Sequence, residues 1–212
     1  MNAPAAPLFS VRGLTKHFDG IRAVDSLSFD VAEGSITGII GPNGAGKTTV
    51  FNIVTGLYRP TAGAVLFRGE SITGLRPDRV VRRGIARTFQ NIRLFNRRSC
   101  LDNVLTPLFQ RERCSFLGSL LGTPSTRRLE RELRERALGL LEVLGLERFA
   151  STQADNLPYG LQRKLEIARA LATEPSLLLL DEPAAGMNPE ETRGLADLIA
   201  EVRERFQVTI LL

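Results

Sequence analysis

The chain has 212 residues, 43% of them hydrophobic, with a net charge of +5 and a pI near 9.9. That length suits one large α/β domain with a real core, and no apolar run approaches the ~20 residues of a bilayer-spanning helix. Met1 to Pro7 is small and Pro-rich, without the basic-then-apolar pattern of a signal peptide, so a cytoplasmic chain is expected. Short apolar runs at Leu8 to Val11, Leu27 to Val31 and Ile36 to Ile40 predict the first strands.

Directly after Ile40 comes Gly41-Pro42-Asn43-Gly44-Ala45-Gly46-Lys47-Thr48, and a helix-like stretch runs from Thr49 to Leu57. Strand, glycine loop and helix in this order make a phosphate-binding loop. The glycines let successive backbone N–H groups turn inward on phosphate oxygens. Lys47 reaches the β- and γ-phosphates, the Thr48 hydroxyl serves Mg²⁺, and the helix N-terminus adds its dipole. Thr49 completes the nucleotide-binding stretch. The chain is read as binding a nucleoside triphosphate.

Ala64 to Phe67 predicts another strand, followed by an arginine-rich stretch: Arg76, Arg79, Arg82, Arg83, Arg87, Arg93, Arg97 and Arg98. Few aromatics interleave with that charge, unlike a single-strand nucleic-acid platform, so no nucleic-acid partner is expected. Cys100 and Cys114 lack metal-ligand spacing and read as unpaired thiols of a reducing compartment. Arg127 to Gly145 predicts a helix, with Leu129, Leu133, Ala137, Leu140, Leu141 and Leu144 on one face and Glu130–Arg134 and Glu132–Arg136 pairing across a turn. Leu177 to Leu180 reads as a strand buried on both faces and ends in Asp181-Glu182-Pro183. Asp181 would hold Mg²⁺, and Glu182 would orient and deprotonate an attacking water. Asn188-Pro189-Glu190-Glu191 predicts a helix start, and Val208 to Leu212 a last strand.

Asn156 to Leu171, which includes Leu157-Pro158-Tyr159-Gly160-Leu161, resembles the signature region of ATP-binding-cassette (ABC) ATPases. Arg87-Thr88-Phe89-Gln90 resembles that family's glutamine loop, and Ala185-Gly186-Met187-Asn188-Pro189 the loop after the catalytic glutamate. Lys16-His17-Phe18 is similar to an opening strand, with Phe18 at the adenine-stacking position. Residues 87–95, the insert around Phe116 to Pro124, and Ala184 to Pro189 together look like the cassettes of branched-chain amino acid importers. The resemblance implies an α/β P-loop NTPase fold, an ABC cassette with a mixed sheet core and a helical subdomain inserted at about 91–172. One cassette would occupy 1–212. It implies ATP and Mg²⁺ as cofactors, with Gln90 sensing γ-phosphate and metal beside Thr48 and Asp181.

The implied partners are a second cassette, identical or different, whose ATP is covered by this chain's Leu157 to Leu161. Two integral membrane permease subunits would dock near the arginine-rich stretch, and a periplasmic or extracellular binding protein would act indirectly. The cassette would sit peripherally at the cytoplasmic face of the inner membrane. Two other readings are a soluble ATPase of the same fold, which fused cassettes or a coiled-coil insert would favour, and a regulatory module that has lost hydrolysis, against which Glu182 speaks.

Two departures from the family pattern matter. Leu-Ser-Gly-Gly-Gln is the general signature; Pro158 is similar to the importer group, but Leu161 puts an apolar side chain where glutamine is usual. The family also has a histidine after the strand that begins at Val208. The single histidine here, His17, is far upstream and expected at the surface, so a fragment with reduced turnover is expected. Replacing Leu161→Gln should raise ATP hydrolysis by restoring a polar donor, and a variant no faster than the parent would refute that expectation.

Overall fold

Four consecutive leucines, Leu177–Leu180, form an inner strand of a four-stranded sheet, and all four are fully buried. The structure, a computed structural model, describes residues 6–112 and 123–212. Cys114, most of the stretch from Phe116 to Pro124, and Met1 to Ala5 lie outside them. The chain divides into two units: Met1–Arg87, Ser176–Glu182 and Ile199–Leu212 in the first, Thr88–Pro175 and Pro183–Leu198 in the second.

The first unit carries two sheets. In chain order the strands are β1 (Phe9–Phe18), β2 (Ile21–Val31), β3 (Ile36–Thr37), β4 (Ala62–Phe67), β5 (Glu70–Ser71), β6 (Ile85–Thr88, whose last residue belongs to the second unit), β7 (Leu177–Leu180) and β8 (Thr209–Leu211). One sheet has the order β2-β1-β4-β5 and the other β3-β8-β7-β6. β1 pairs antiparallel with β2 and β4, whereas β8 runs parallel to both β3 and β7. The sheets are mixed in the sense expected: antiparallel near the N-terminus, parallel beside the glycine loop. β1 and β2 are longer than their apolar runs because a tight turn at Asp19-Gly20, with φ of 41° and 89°, carries the hairpin past them. β3 is shorter than expected, although the Ile39 amide still bonds the Leu212 carbonyl at 2.6 Å.

Helix α1 (Lys47–Val54) begins two residues earlier than its apolar pattern suggests and stops where Gly56 takes φ 76°. Val50, Phe51, Ile53 and Val54 join Phe9, Val11, Val31, Leu177 and Leu179 in the core, each such side chain contributing about 1.5–3 kcal/mol by leaving water. The short helix α2 (Pro77–Arg82) starts with proline at its first turn. His17 is exposed, as expected.

The second unit is helical: α3 (Cys100–Arg111), α4 (Pro124–Val143) and α5 (Tyr159–Leu171). α4 begins earlier than predicted because Thr123 caps it, accepting from the Thr126 amide, and Pro124 takes the first helical position. Leu133, Ala137, Leu140, Leu141 and Leu144 are buried, but neither predicted ion pair is present among the described residues. Glu132 pairs with Arg128 at 2.9 Å, and Arg136 reaches Glu112 at 3.2 Å and also Glu174. For Arg136, partners from neighbouring segments win over the one-turn pair, which is worth only a few tenths of a kcal/mol, and Glu132 turns to Arg128 one turn earlier. Helix α6 (Pro189–Phe206) starts at the capping box foreseen. Asn188 Oδ1 accepts from the Glu190 and Glu191 amides at 3.0 and 2.9 Å, and Glu191 Oε2 accepts from the Asn188 amide at 3.0 Å.

Cys100 is fully buried at the start of α3. Burial pushes its thiol up from 9.0 to about 11. The fold therefore favours the neutral thiol, and its contribution to stability is complete below pH 9.0 and lost as the pH rises towards about 11. At pH 7 a maleimide should modify Cys100 only as fast as the protein opens. Fast labelling of the Cys100 peptide in the native state would contradict its burial.

Candidate active site

The loop between β3 and α1 can be built only with glycine at its key positions. Gly44 and Gly46 have φ of 83° and 88°, a region that side-chain-bearing residues rarely adopt. A Cβ on Gly46 would lie 2.2 Å from the Ala23 carbonyl oxygen of β2, so the loop is seated directly on that strand. The Ala45 amide closes the turn on the Pro42 carbonyl at 3.1 Å. Gly41, Pro42 and Asn43 complete it. α1 then starts with no side-chain cap and no acidic residue in its first turn. Its N-terminal amides and positive dipole end carry no counter-charge of their own, which is what an anion site requires.

Lys47 folds over this loop, donating to the Gly41 and Pro42 carbonyls at 2.7 and 3.2 Å. Its Nζ also stands 3.7 Å from the Glu182 carboxylate. Sequence positions 135 residues apart are thereby brought together. Thr48 and Thr49 occupy the first turn of α1, half-buried. Glu182 itself has φ 47°, a conformation costing about 1–3 kcal/mol that tends to mark functional turns.

Asp181, at the end of β7, is 1% exposed. One carboxylate oxygen accepts from Arg87 at 2.8 Å. The other, Oδ1, is buried with no hydrogen-bond partner among the described residues. An orphaned buried oxygen is costly, and a hard divalent cation such as Mg²⁺ would satisfy it. Among the described residues no group of three or more His, Cys, Asp or Glu could hold a metal unaided. Mg²⁺ fits such a setting, since it binds through one or two protein ligands plus phosphate and water oxygens. Thr48 and Asp181 are therefore compatible with it.

Phe18, at the end of β1, meets the Tyr58 ring edge-on at 5.3 Å, and Lys16 Nζ lies 4.7 Å over the Phe18 ring. The flat face of an aromatic is thus held in place by two neighbours, of which Tyr58 had no motif to announce it.

The remaining predicted residues belong to the second unit. Gln90 is exposed and its carbonyl accepts from Arg163 at 2.8 Å. Leu157 is buried, and Pro158 is the N-cap of α5. Leu161 and Gln162 both donate to the Pro158 carbonyl at 3.0 Å, so the amides of Tyr159 and Gly160 precede the intrahelical ladder. Like α1, α5 has no acidic residue in its first turn. The Tyr159 hydroxyl donates to the Ala185 carbonyl at 3.0 Å, joining two stretches singled out in the sequence. Leu161 is half-buried.

The profile of the ABC transporter family matches residues 24–185. The chain belongs to that family. This cassette is 48% identical over 206 residues to the high-affinity branched-chain amino acid transport ATP-binding protein LivG of Escherichia coli (strain K12), a match covering 97% of this chain and 81% of that protein. It is also similar to the solved ADP conformation of MJ1267, an ATP-binding cassette of an ABC transporter, with TM-score 0.82, 32% identity, and 98% of this chain and 80% of that one covered. A dimeric post-hydrolysis structure of the ATP-binding cassette MJ0796, bound to ADP and Pi, matches with TM-score 0.78 and 28% identity over 96% of this chain and 86% of that one.

One expectation about the cassette is corrected. Arg87 is not part of an exposed basic face: its side chain is 4% exposed. It donates to Asn52 Oδ1 at 2.8 Å and Thr55 Oγ1 at 3.1 Å on and just after α1, and to Asp181 at 2.8 Å. Arg76, Arg79, Arg82 and Arg83 in the first unit, and Arg93, Arg97 and Arg98 in the second, are exposed. The clue in the sequence was Arg87's place between Ile85-Ala86 and Thr88, inside a short strand of otherwise buried residues. Changing Arg87→Ala strands Asp181 as an unpaired buried charge, so the unfolding free energy in urea should fall by about 3–5 kcal/mol. A loss below about 1 kcal/mol, the worth of an exposed pair, would mean the tie is dispensable.

Proposed function

We propose that this cassette binds and hydrolyses ATP to power an importer of branched-chain amino acids. The observation that carries the reading is the meeting of Lys47 and Glu182 at 3.7 Å above a glycine loop, in a chain 48% identical to a branched-chain amino acid transport ATP-binding protein. Backbone amides of the loop after Pro42, which itself has no N–H, and the N-terminus of α1 cradle the phosphates. Lys47 exchanges a loop carbonyl for phosphate oxygens, and its charge opposes that of the γ-phosphoryl group as it transfers. Glu182 aligns and deprotonates the attacking water. When bound, Mg²⁺ would neutralise charge on the phosphate oxygens, and Thr48, Asp181 and Gln90 are the residues that would hold it. Phe18 offers its ring to the adenine.

Several further assignments belong to the same reading. The chain acts as one cassette over 1–212, with 91–172 as its helical subdomain. It works as a dimer with a second cassette, to which it presents Leu157, Pro158, Tyr159, Gly160 and Leu161. Two membrane permease subunits carry the amino acid, a binding protein delivers it, and the cassette lies peripherally at the cytoplasmic face of the inner membrane. Support comes from the relatives' names, from the dimeric cassette structure, and from the lack, among the described residues, of any helix long and apolar enough to cross a membrane.

The test is ATP hydrolysis by the full-length protein assembled with its permease subunits in liposomes, with and without loaded binding protein. Leucine, isoleucine or valine should stimulate turnover. In the same assembly Glu182→Gln should lower kcat by about 10²–10⁴-fold while ATP binding persists. ATP binding without stimulated turnover in the parent would overturn the importer reading.

A further inference from the structure

Arg163 and Glu166, one turn apart on α5, are 0% and 1% exposed in their side chains and pair at 2.9 Å. Bringing two ions into a protein interior costs several kcal/mol each, and an apolar pair of similar volume often packs as well. The bonds this pair makes show what it holds. Arg163 forks to two consecutive carbonyls, those of Phe89 at 2.6 Å and Gln90 at 2.8 Å. Glu166 Oε1 accepts from the Phe89 and Arg93 amides at 3.2 and 3.4 Å. The backbone is thus gripped on both sides of the Gln90 side chain. Arg163 also donates to the Tyr159 hydroxyl at 3.3 Å, and that hydroxyl donates to Ala185. The first turn of α5, the loop bearing Gln90 and the loop after Glu182 are joined through one buried charge pair.

We propose that Arg163 and Glu166 are positioning residues that lock the glutamine loop to the signature helix, so that ATP held against Gly160 by the opposite cassette sets the position of Gln90 in this one. This rests on the reading of Gln90 and Gly160 given above. The chemistry is that of a rigid link. Four hydrogen bonds between α5 and residues 89–93 tie the loop to the helix, so a shift of the helix start is passed on to Gln90. Its functional consequence is positive cooperativity between the two ATP sites, because the second ATP finds Gln90 already placed.

The experiment compares Arg163→Met/Glu166→Met with the parent in the assembled full-length transporter. Amide exchange at Phe89 and Arg93 should accelerate, and affinity for the first ATP should hold. kcat should fall by up to about 100-fold, the cost of a displacement near 1 Å, and cooperativity in ATP should disappear. Adding Gln90→Ala to this variant should cost nothing more. A folded variant with parental kcat and cooperativity overturns the clamp while leaving the transporter reading intact. If Gln90→Ala alone leaves kcat unchanged, the role of Gln90 fails and the clamp with it. Two milder variants decide the matter should the double one not fold. Glu166→Gln keeps an acceptor for both amides but turns an NH₂ on Arg163 in place of its anionic partner, and should show a smaller fall in kcat and cooperativity. Arg163→Lys cannot fork to two carbonyls and should lose kcat and cooperativity at unchanged affinity for the first ATP. Parental behaviour of Arg163→Lys overturns the proposal.

Discussion

A guanidinium buried between α1 and the end of β7 sets the geometry of the first unit's site. Arg87 spends one arm on Asn52 and Thr55 and the other on Asp181. The planar fork can serve partners on two elements at once; a lysine, as a single point charge, could not. Asp181 gives one oxygen to this tie, and its second is buried with no hydrogen-bond partner among the described residues. The tie also links the helix that follows the glycine loop to the strand that precedes Glu182. Lys47 and Glu182 meet because both elements are already pinned.

Features governed by neighbouring residues could be read from the chain. The run Leu177–Leu180 is a strand with the bounds expected, since four consecutive apolar residues have no polar face to place in water. The helix start at Asn188-Pro189 and the conformations of Gly44 and Gly46 are equally local. Interactions between distant segments were hidden. Arg87 and Asp181 lie 94 positions apart, and Arg163 reaches a loop more than 70 positions upstream. In a sequence these arginines look like any others in a basic stretch. The two-residue strand β5 was missed because Glu70-Ser71 carries no apolar signal; pairing with β4 alone makes it a strand.

The cassette also uses one physical device twice. α1 and α5 each begin without an acidic residue in the first turn and without a side-chain cap. Helices usually relieve their positive end with such groups, and their omission costs about 0.5–2 kcal/mol per cap. α6 shows what the chain does elsewhere, with Asn188, Glu190 and Glu191 all gathered at its start. α1 follows the glycine loop, and α5 carries Gly160 in its first turn.

Glu182 sits at φ 47°, where an asparagine or glycine would be more at ease than a glutamate. A population of variants screened only for heat resistance would therefore drift towards those residues and shed the carboxylate. On the role proposed for Glu182, durability and turnover pull against each other at this one backbone torsion.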